Sequence, residues 1–246
     1  MKKLHSCLLI FTFLVTSLFG LVSCDSDTTA VLQHEESNPI SLKKSHSLPG
    51  NPNNPYDEAG RLHTELSEAY YETGDSDSTV AEVVTAVQKL ADSSSSFNSI
   101  KNPDYHDVSA TDVQDLLDHP TTSVAAAISA SSLSDVAQLG LLNFVNSYLL
   151  LFDHEQSIDV LYQTCIAYED SVLKAPSLTA TDKRIVLTTI SIARHSTYKA
   201  RKKPKKNTDP DWTIFVGNIA AGIEGAEYGT AEAVVKALAT GIVQNR

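Results

Sequence analysis

The sequence predicts an all-α fold, a single globular domain of about six or seven helices placed after an N-terminal signal and a disordered tether. Two patterns and one absence predict it. Helix start signals recur from Asp57 onward, and apolar residues at three- and four-residue spacing follow them. No run alternates polar and apolar with period two, and no Asn-Gly or Asp-Gly dipeptide marks a hairpin.

The chain opens Met1-Lys2-Lys3, continues with an apolar run from Leu8 to Leu21, and reaches Leu21-Val22-Ser23-Cys24. The apolar run falls short of the about 20 residues that span a bilayer, and it is bounded like a secretory signal. The small-residue site ending in cysteine resembles the lipobox of bacterial lipoproteins. That resemblance implies removal of residues 1–23 and acylation of Cys24. Several acyl chains, at about 0.8 kcal/mol per buried CH₂, make a stable anchor.

Residues 24–55 read as the lipidated cysteine and its tether. Asp25-Ser26-Asp27-Thr28-Thr29 is polar, and Leu48-Pro49-Gly50-Asn51-Pro52-Asn53-Asn54-Pro55 stacks residues that interrupt helix and strand. A flexible coil of that length spans roughly 30 Å. The domain is then expected over 56–246.

Removing Lys2 and Lys3 from the 19 basic residues leaves 17 against 30 acidic ones, a charge of −13 after Cys24. So acidic a chain is not built to bind nucleic acid. Cys7 leaves with the signal and Cys24 is acylated, so Cys165 has no partner for an intramolecular disulfide. Stability must come from a packed core.

The helices follow in order. Asp57 is placed to cap Glu58 to Glu72, where Leu62, Leu66, Ala69 and Tyr70 share a face. Thr79-Val80-Ala81-Glu82 has capping-box spacing ahead of Val83, Val84, Val87, Leu90 and Ala91. Ser109 with Asp112 opens a short helix ending near His119-Pro120. Ser132 with Asp135 precedes the apolar stretch Val136 to Phe152. Asp153 to Lys174 carries Ile158, Leu161, Tyr162, Cys165, Ile166 and Tyr168, and stops at Ala175-Pro176. Thr179 to Lys203 carries Ile185, Val186, Ile190 and Ala193. Asp209-Pro210 has the form of an N-cap followed by proline at the first helical position.

The last helix, about 211–243, carries the most unusual surface. Gly217, Ala221, Gly225, Gly229, Ala233, Ala237 and Gly241 are small residues at seven successive i+4 positions. On one helix they form a slowly winding groove that admits close approach of another helix. Glycine within a helix costs about 1 kcal/mol relative to alanine, so contact with something must compensate. The occupant could be a neighbouring helix of the same domain, a protein partner or second copy, or a membrane. Glu224, Glu227, Glu232 and Lys236 oppose the membrane. Just before this helix, the basic cluster Lys199 to Lys206 reads either as a solvated hinge or as a contact for anionic headgroups.

No catalytic constellation is visible. The sequence lacks a Gly-x-Ser-x-Gly elbow, a phosphate-cradling glycine loop and a His-Glu-x-x-His pair. His34, His46, His63, His106, His119, His154 and His195 are scattered without metal-ligand spacing, so no metal or cofactor is expected. His63 and His195 fall on helices as packed or exposed imidazoles, and Cys165 lies among Ile158, Leu161 and Ile166 as a buried thiol.

Three segments together resemble uncharacterised lipoproteins of Bacteroidetes-type bacteria. They are Asn54-Pro55-Tyr56-Asp57-Glu58-Ala59-Gly60-Arg61-Leu62-His63, Ile190-Ser191-Ile192-Ala193-Arg194-His195-Ser196, and a tryptophan-led, small-residue-rich ending from Trp212 to Gly241. The chain departs from that pattern at Thr64, where asparagine is usual, and at His195, where tyrosine is usual. The resemblance implies compartment and architecture, not activity. Acidic residues after the lipid cysteine, here Asp25 and Asp27, resemble a surface-export signal of such bacteria.

The sequence therefore points to a lipid-anchored envelope protein, most simply a non-enzymatic binding or assembly module of the outer membrane and its surface. Its partners would be the membrane, through Cys24, and a protein or second copy through the last helix. Two alternatives stay open: a membrane-active, bacteriocin-like effector using 211–246, and an envelope hydrolase without a recognisable motif.

Overall fold

The computed structural model describes residues 49–74, 79–119, 123–154, 156–202 and 211–245. The signal, the lipobox with Cys24, most of the tether, Asp209-Pro210 and half of the basic cluster lie outside the described residues. The described chain is all-α, without strands, and comprises ten helices: α1 Asp57–Glu72, α2 Val80–Ser93, α3 Ser95–Ile100, α4 Ala110–Asp118, α5 Ser123–Ala130, α6 Asp135–Asp153, α7 Ile158–Lys174, α8 Ala180–Lys202, α9 Asp211–Tyr228 and α10 Thr230–Gln244.

Several boundaries are set by the side chains that the sequence nominates. Thr79 accepts from the Glu82 amide while the Glu82 carboxylate accepts from the Thr79 amide, the reciprocal capping box that starts α2. Ser109 caps α4. Thr179 and Asp182 exchange the same pair of bonds at the start of α8. Asp182 also accepts from the Ser134 amide and hydroxyl, at 2.8 and 3.0 Å, tying the start of α6 to the start of α8. Burial acts to raise the Asp182 pKa, but the bonds from Ser134 and Thr179 hold it below the ordinary carboxylate value.

Other boundaries differ from expectation. Asp57 does not cap α1; it is the first helical residue, and Tyr56 stands before it without a side-chain cap. The turn of α6 begins at Ser134, not Ser132, whose amide and hydroxyl instead donate to Glu227. The helix expected from Asp153 starts at Ile158, because Ser157 supplies the cap. Two short helices, α3 and α5, carried too little periodicity to stand out.

The largest difference is the last helix, which is two. Three carbonyls at the end of α9 are claimed from elsewhere: Arg184 donates to Ala226 and Glu227, and Asn102 donates to Tyr228 at 2.7 Å. The chain turns in extended backbone at Gly229 and restarts as α10, which folds back on α9.

The core is built around α8 and α10. Every residue from Ile185 to His195 is buried, and so is every residue from Ala231 to Ile242. Around them α1 packs on α8 and α10, α2 on α10, α7 on α8, and α5 on α9. Helix α6 is peripheral, resting on α5, α7 and α8. None of the described helices is long and apolar enough to cross a membrane.

Candidate functional site

Where the tether is expected to run free, the structure has a buried clasp. Pro52 and Pro55 restrict the backbone, and two asparagines fold the loop around themselves. Asn51 Oδ1 accepts from the Asn53 amide at 3.1 Å and Asn54 Oδ1 from the Tyr56 amide at 2.8 Å, two successive Asx turns. This leaves both side-chain amides pointing inward. Asn51 Nδ2 donates to Glu169 Oε2 at 2.6 Å, and Asn54 Nδ2 donates to Glu169 Oε1 at 2.9 Å and to the Leu187 carbonyl at 3.1 Å. Asn51 and Asn54 are each 3% exposed, so the domain already includes residue 51 and the boundary expected at residue 56 moves back.

Arg194 of α8 is the centre. Its Nη2 donates to Glu169 Oε1 at 3.1 Å and to Asp57 Oδ1. The Arg194 side chain is 1% exposed and that of Glu169 is 0%. Asp57 receives the Asn51 amide on Oδ2 at 3.0 Å, and its carbonyl accepts from Ser191 Oγ at 3.0 Å. Burial opposes the charged form of both partners, yet the pairing wins in each. The Asp57 pKa stays below the ordinary carboxylate value because of its contacts with His195 and Arg194 and the Asn51 amide, and the Arg194 pKa is raised by Glu169 and Asp57.

The helices meet closely to permit this. The Gly60 amide donates to Ser191 Oγ at 3.1 Å, and a Cβ on Gly60 would strike the Ser191 carbonyl oxygen and the His195 ring. Glycine is therefore required where α1 crosses α8. Segments 54–63 and 190–196, two of the three singled out in the sequence, are thus the two halves of one contact.

His63 and His195 sit against this crossing as packed side chains. His195 Nε2 stands 3.6 Å from Asp57 Oδ1, and His63 Nδ1 stands 3.5 Å from Ser196 Oγ. Burial, with the nearby Lys199 and His195, drives the His63 pKa down to about 3. A base so weak is a poor proton acceptor at neutral pH. Cys165 is buried, and burial pushes its thiol up to about 12, which keeps it protonated and unreactive. Lys199 donates to Ser67 Oγ at 2.8 Å, so the first residue of the basic cluster is part of the fold. Among the described residues no group of three or more His, Cys, Asp or Glu is placed to hold a metal.

The seven small residues of the C-terminal ladder are all buried, and they do not form one exposed groove. A Cβ on Gly225 would lie 2.5 Å from Ala233 Cα, while Gly217 faces Gln244 and Gly241 faces Asn218. The ladder is thus split between α9 and α10, which use it to approach each other. Its occupant is the same domain.

A surface groove of about 580 Å³ lies between the end of α1 and the outer face of α2, lined by Tyr70, Thr85, Ala86, Lys89, Leu90 and Glu82 among others. Its one carboxylate, Glu82, is engaged in the capping box. No paired carboxylates face that groove.

Comparison with family models, with curated proteins and with solved structures returned no match.

Proposed function

We propose that this chain is a lipid-anchored protein of the bacterial envelope, held through Cys24, whose helical domain is a non-enzymatic binding or assembly module. One observation carries the reading: the tether that follows Leu21-Val22-Ser23-Cys24 enters a domain that buries its first residues. Asn51, Asn54 and Asp57 are bonded into the core by Glu169 and Arg194. Such an entry point fixes the end of the domain from which an N-terminal anchor would hold it.

The chemistry of the interior supports a binding role over a catalytic one. Glu169, Asp57 and Arg194 are engaged with one another, His63 is held neutral, and Cys165 is held as the thiol. The hydrolase alternative would need paired carboxylates in a cleft, and the α1–α2 groove lacks them. The membrane-active alternative would need α10 to turn outward, exposing Glu232 and Lys236, which are 4% and 7% exposed as folded.

Metabolic labelling with an alkyne analogue of palmitate tests the anchor. The wild-type chain should take up label and a Cys24→Ala variant should not. Protease treatment of intact cells, beside a periplasmic control, tests the compartment. Loss of the domain would support display at the surface, and protection until the outer membrane is opened would move the module inside it. Equal labelling of wild type and Cys24→Ala would sink the anchored reading.

A further inference from the structure

The outward face of α6 carries a pattern that its own domain does not use. Val136, Leu139 and Leu150 are 60%, 61% and 59% exposed, and Asn143 and Asn146 lie exposed between them. The positions 136, 139, 143, 146 and 150 advance by three and four alternately, the spacing of a helix seam that packs knobs into holes. The opposite face, with Ala137, Leu141, Phe144 and Tyr148, is buried in the core. Leu142 and Leu149, half-buried, run along one side of the seam. Between Asp135 and Asp153 there is no charged residue, on a chain whose net charge is −11. In an antiparallel pairing of two such acidic domains, like charges meet only at the two ends of the seam, Asp135 beside Asp153 of the other copy.

We propose that a second copy of this chain covers this face, the two α6 helices packing antiparallel about a two-fold axis. The match of the seam to itself decides the occupant. Antiparallel pairing sets Leu139 of one copy on Leu150 of the other, and Asn143 on Asn146, and the axis repeats both pairs. That is the self-complementarity an isologous interface requires. The amide pair fixes the register, as a polar residue in an apolar seam does, and weakens the association in doing so. Because each seam lies opposite its own core, the two domains stand on opposite sides of the helix pair and do not collide. From Val136 to Leu150 the seam is about 21 Å long at 1.5 Å per residue, so the contact is small. Confinement to a bilayer through Cys24 raises the effective concentration and favours it. The inference gives the assembly reading its partner and rests on that reading only for this concentrating effect.

The test uses the lipidated chain in phosphatidylcholine vesicles and a chain begun at Asp25 in solution. A Leu139→Cys, Leu150→Cys double variant should oxidise to a covalent dimer at least tenfold faster than either single variant, since the antiparallel register juxtaposes unlike positions. Buried Cys165 does not compete. Leu139→Glu should weaken self-association of the full chain tenfold or more by sedimentation, with its thermal unfolding unchanged. Cross-linking of the double variant no faster than of the singles would overturn the proposal. Self-association that Leu139→Glu leaves intact would overturn the α6 seam while leaving an assembly role standing. Binding of the unlipidated chain to vesicles, abolished by Leu139→Glu, would identify a bilayer as the occupant and also overturn it. If Cys24 takes no lipid label, dimerisation in solution still decides the seam, and only the anchored reading falls.

Discussion

Asn54 and Glu169, 115 positions apart in the chain, are joined by a 2.9 Å hydrogen bond inside the domain. The same carboxylate accepts from Asn51 and from Arg194, so one anion holds the entering loop, α7 and α8 together. Removing that anion leaves the Arg194 guanidinium buried with Asp57 as its one counter-charge among the described residues. Glu169→Gln should therefore cost about 3–5 kcal/mol, the usual cost of breaking a buried ion pair. Urea unfolding measures it. Adding Arg194→Met should restore part of the loss, so that the double variant is less destabilised than the sum of the singles.

Acid should unfold the domain early, and His63 should set the onset. Its pKa falls from 6.5 to about 3 in the fold, so the unfolded chain binds more protons throughout that window. The sign is then fixed. Stability is full above about pH 6.5 and declines as pH falls, at up to about 1.4 kcal/mol per pH unit from this group alone. Asp57, with its lowered pKa, adds a loss of the same sign at lower pH, below its ordinary 3.8. Urea midpoints between pH 4 and 7 should show a shallower slope for His63→Asn than for wild type. Equal slopes would mean that His63 does not carry the effect.

Two neighbouring glycines should respond oppositely to alanine. At Gly222 the nearest atoms to a new Cβ are 3.8 Å away, an ordinary contact, so Gly222→Ala should stabilise by up to about 1 kcal/mol through helix propensity. At Gly225 the new methyl would meet the α10 backbone at Ala233, 2.5 Å away. Gly225→Ala should destabilise by about 1–3 kcal/mol through overpacking. Thermal unfolding of the pair decides whether the α9–α10 approach is as close as described.

The thiol of Cys165 should be silent to alkylation. With its pKa pushed up to about 12 and its side chain buried, iodoacetamide at pH 8 should modify it at least tenfold more slowly than in urea. Fast labelling of the native chain would show that α7 opens readily.

Much of the fold was legible because its signals are local. The capping box at Thr79 and Glu82, the cap at Ser109 and the start at Thr179 each depend on residues within three positions of one another. The clasp was not legible. Asn51-Pro52-Asn53-Asn54-Pro55 has the composition of a tether, and only partners more than a hundred residues away, Glu169 and Leu187, turn its amides inward. The break at Gly229 was hidden for a related reason. Small residues at i+4 spacing suit one helix as well as two, and the groups that end α9, Arg184 and Asn102, come from distant segments. The resemblance singled out 54–63 and 190–196 separately, without the contact that joins them.

The clasp also decides how the domain responds to being pulled. Tension on the chain that enters the clasp reaches the fold at the Asn51 and Asn54 amides and passes through Glu169 to Arg194, in the buried stretch of α8. The load falls on several hydrogen bonds and on the carboxylate–guanidinium pairs. Peeling the first described residues away therefore means breaking bonds to α7 and α8 as well as those within the loop.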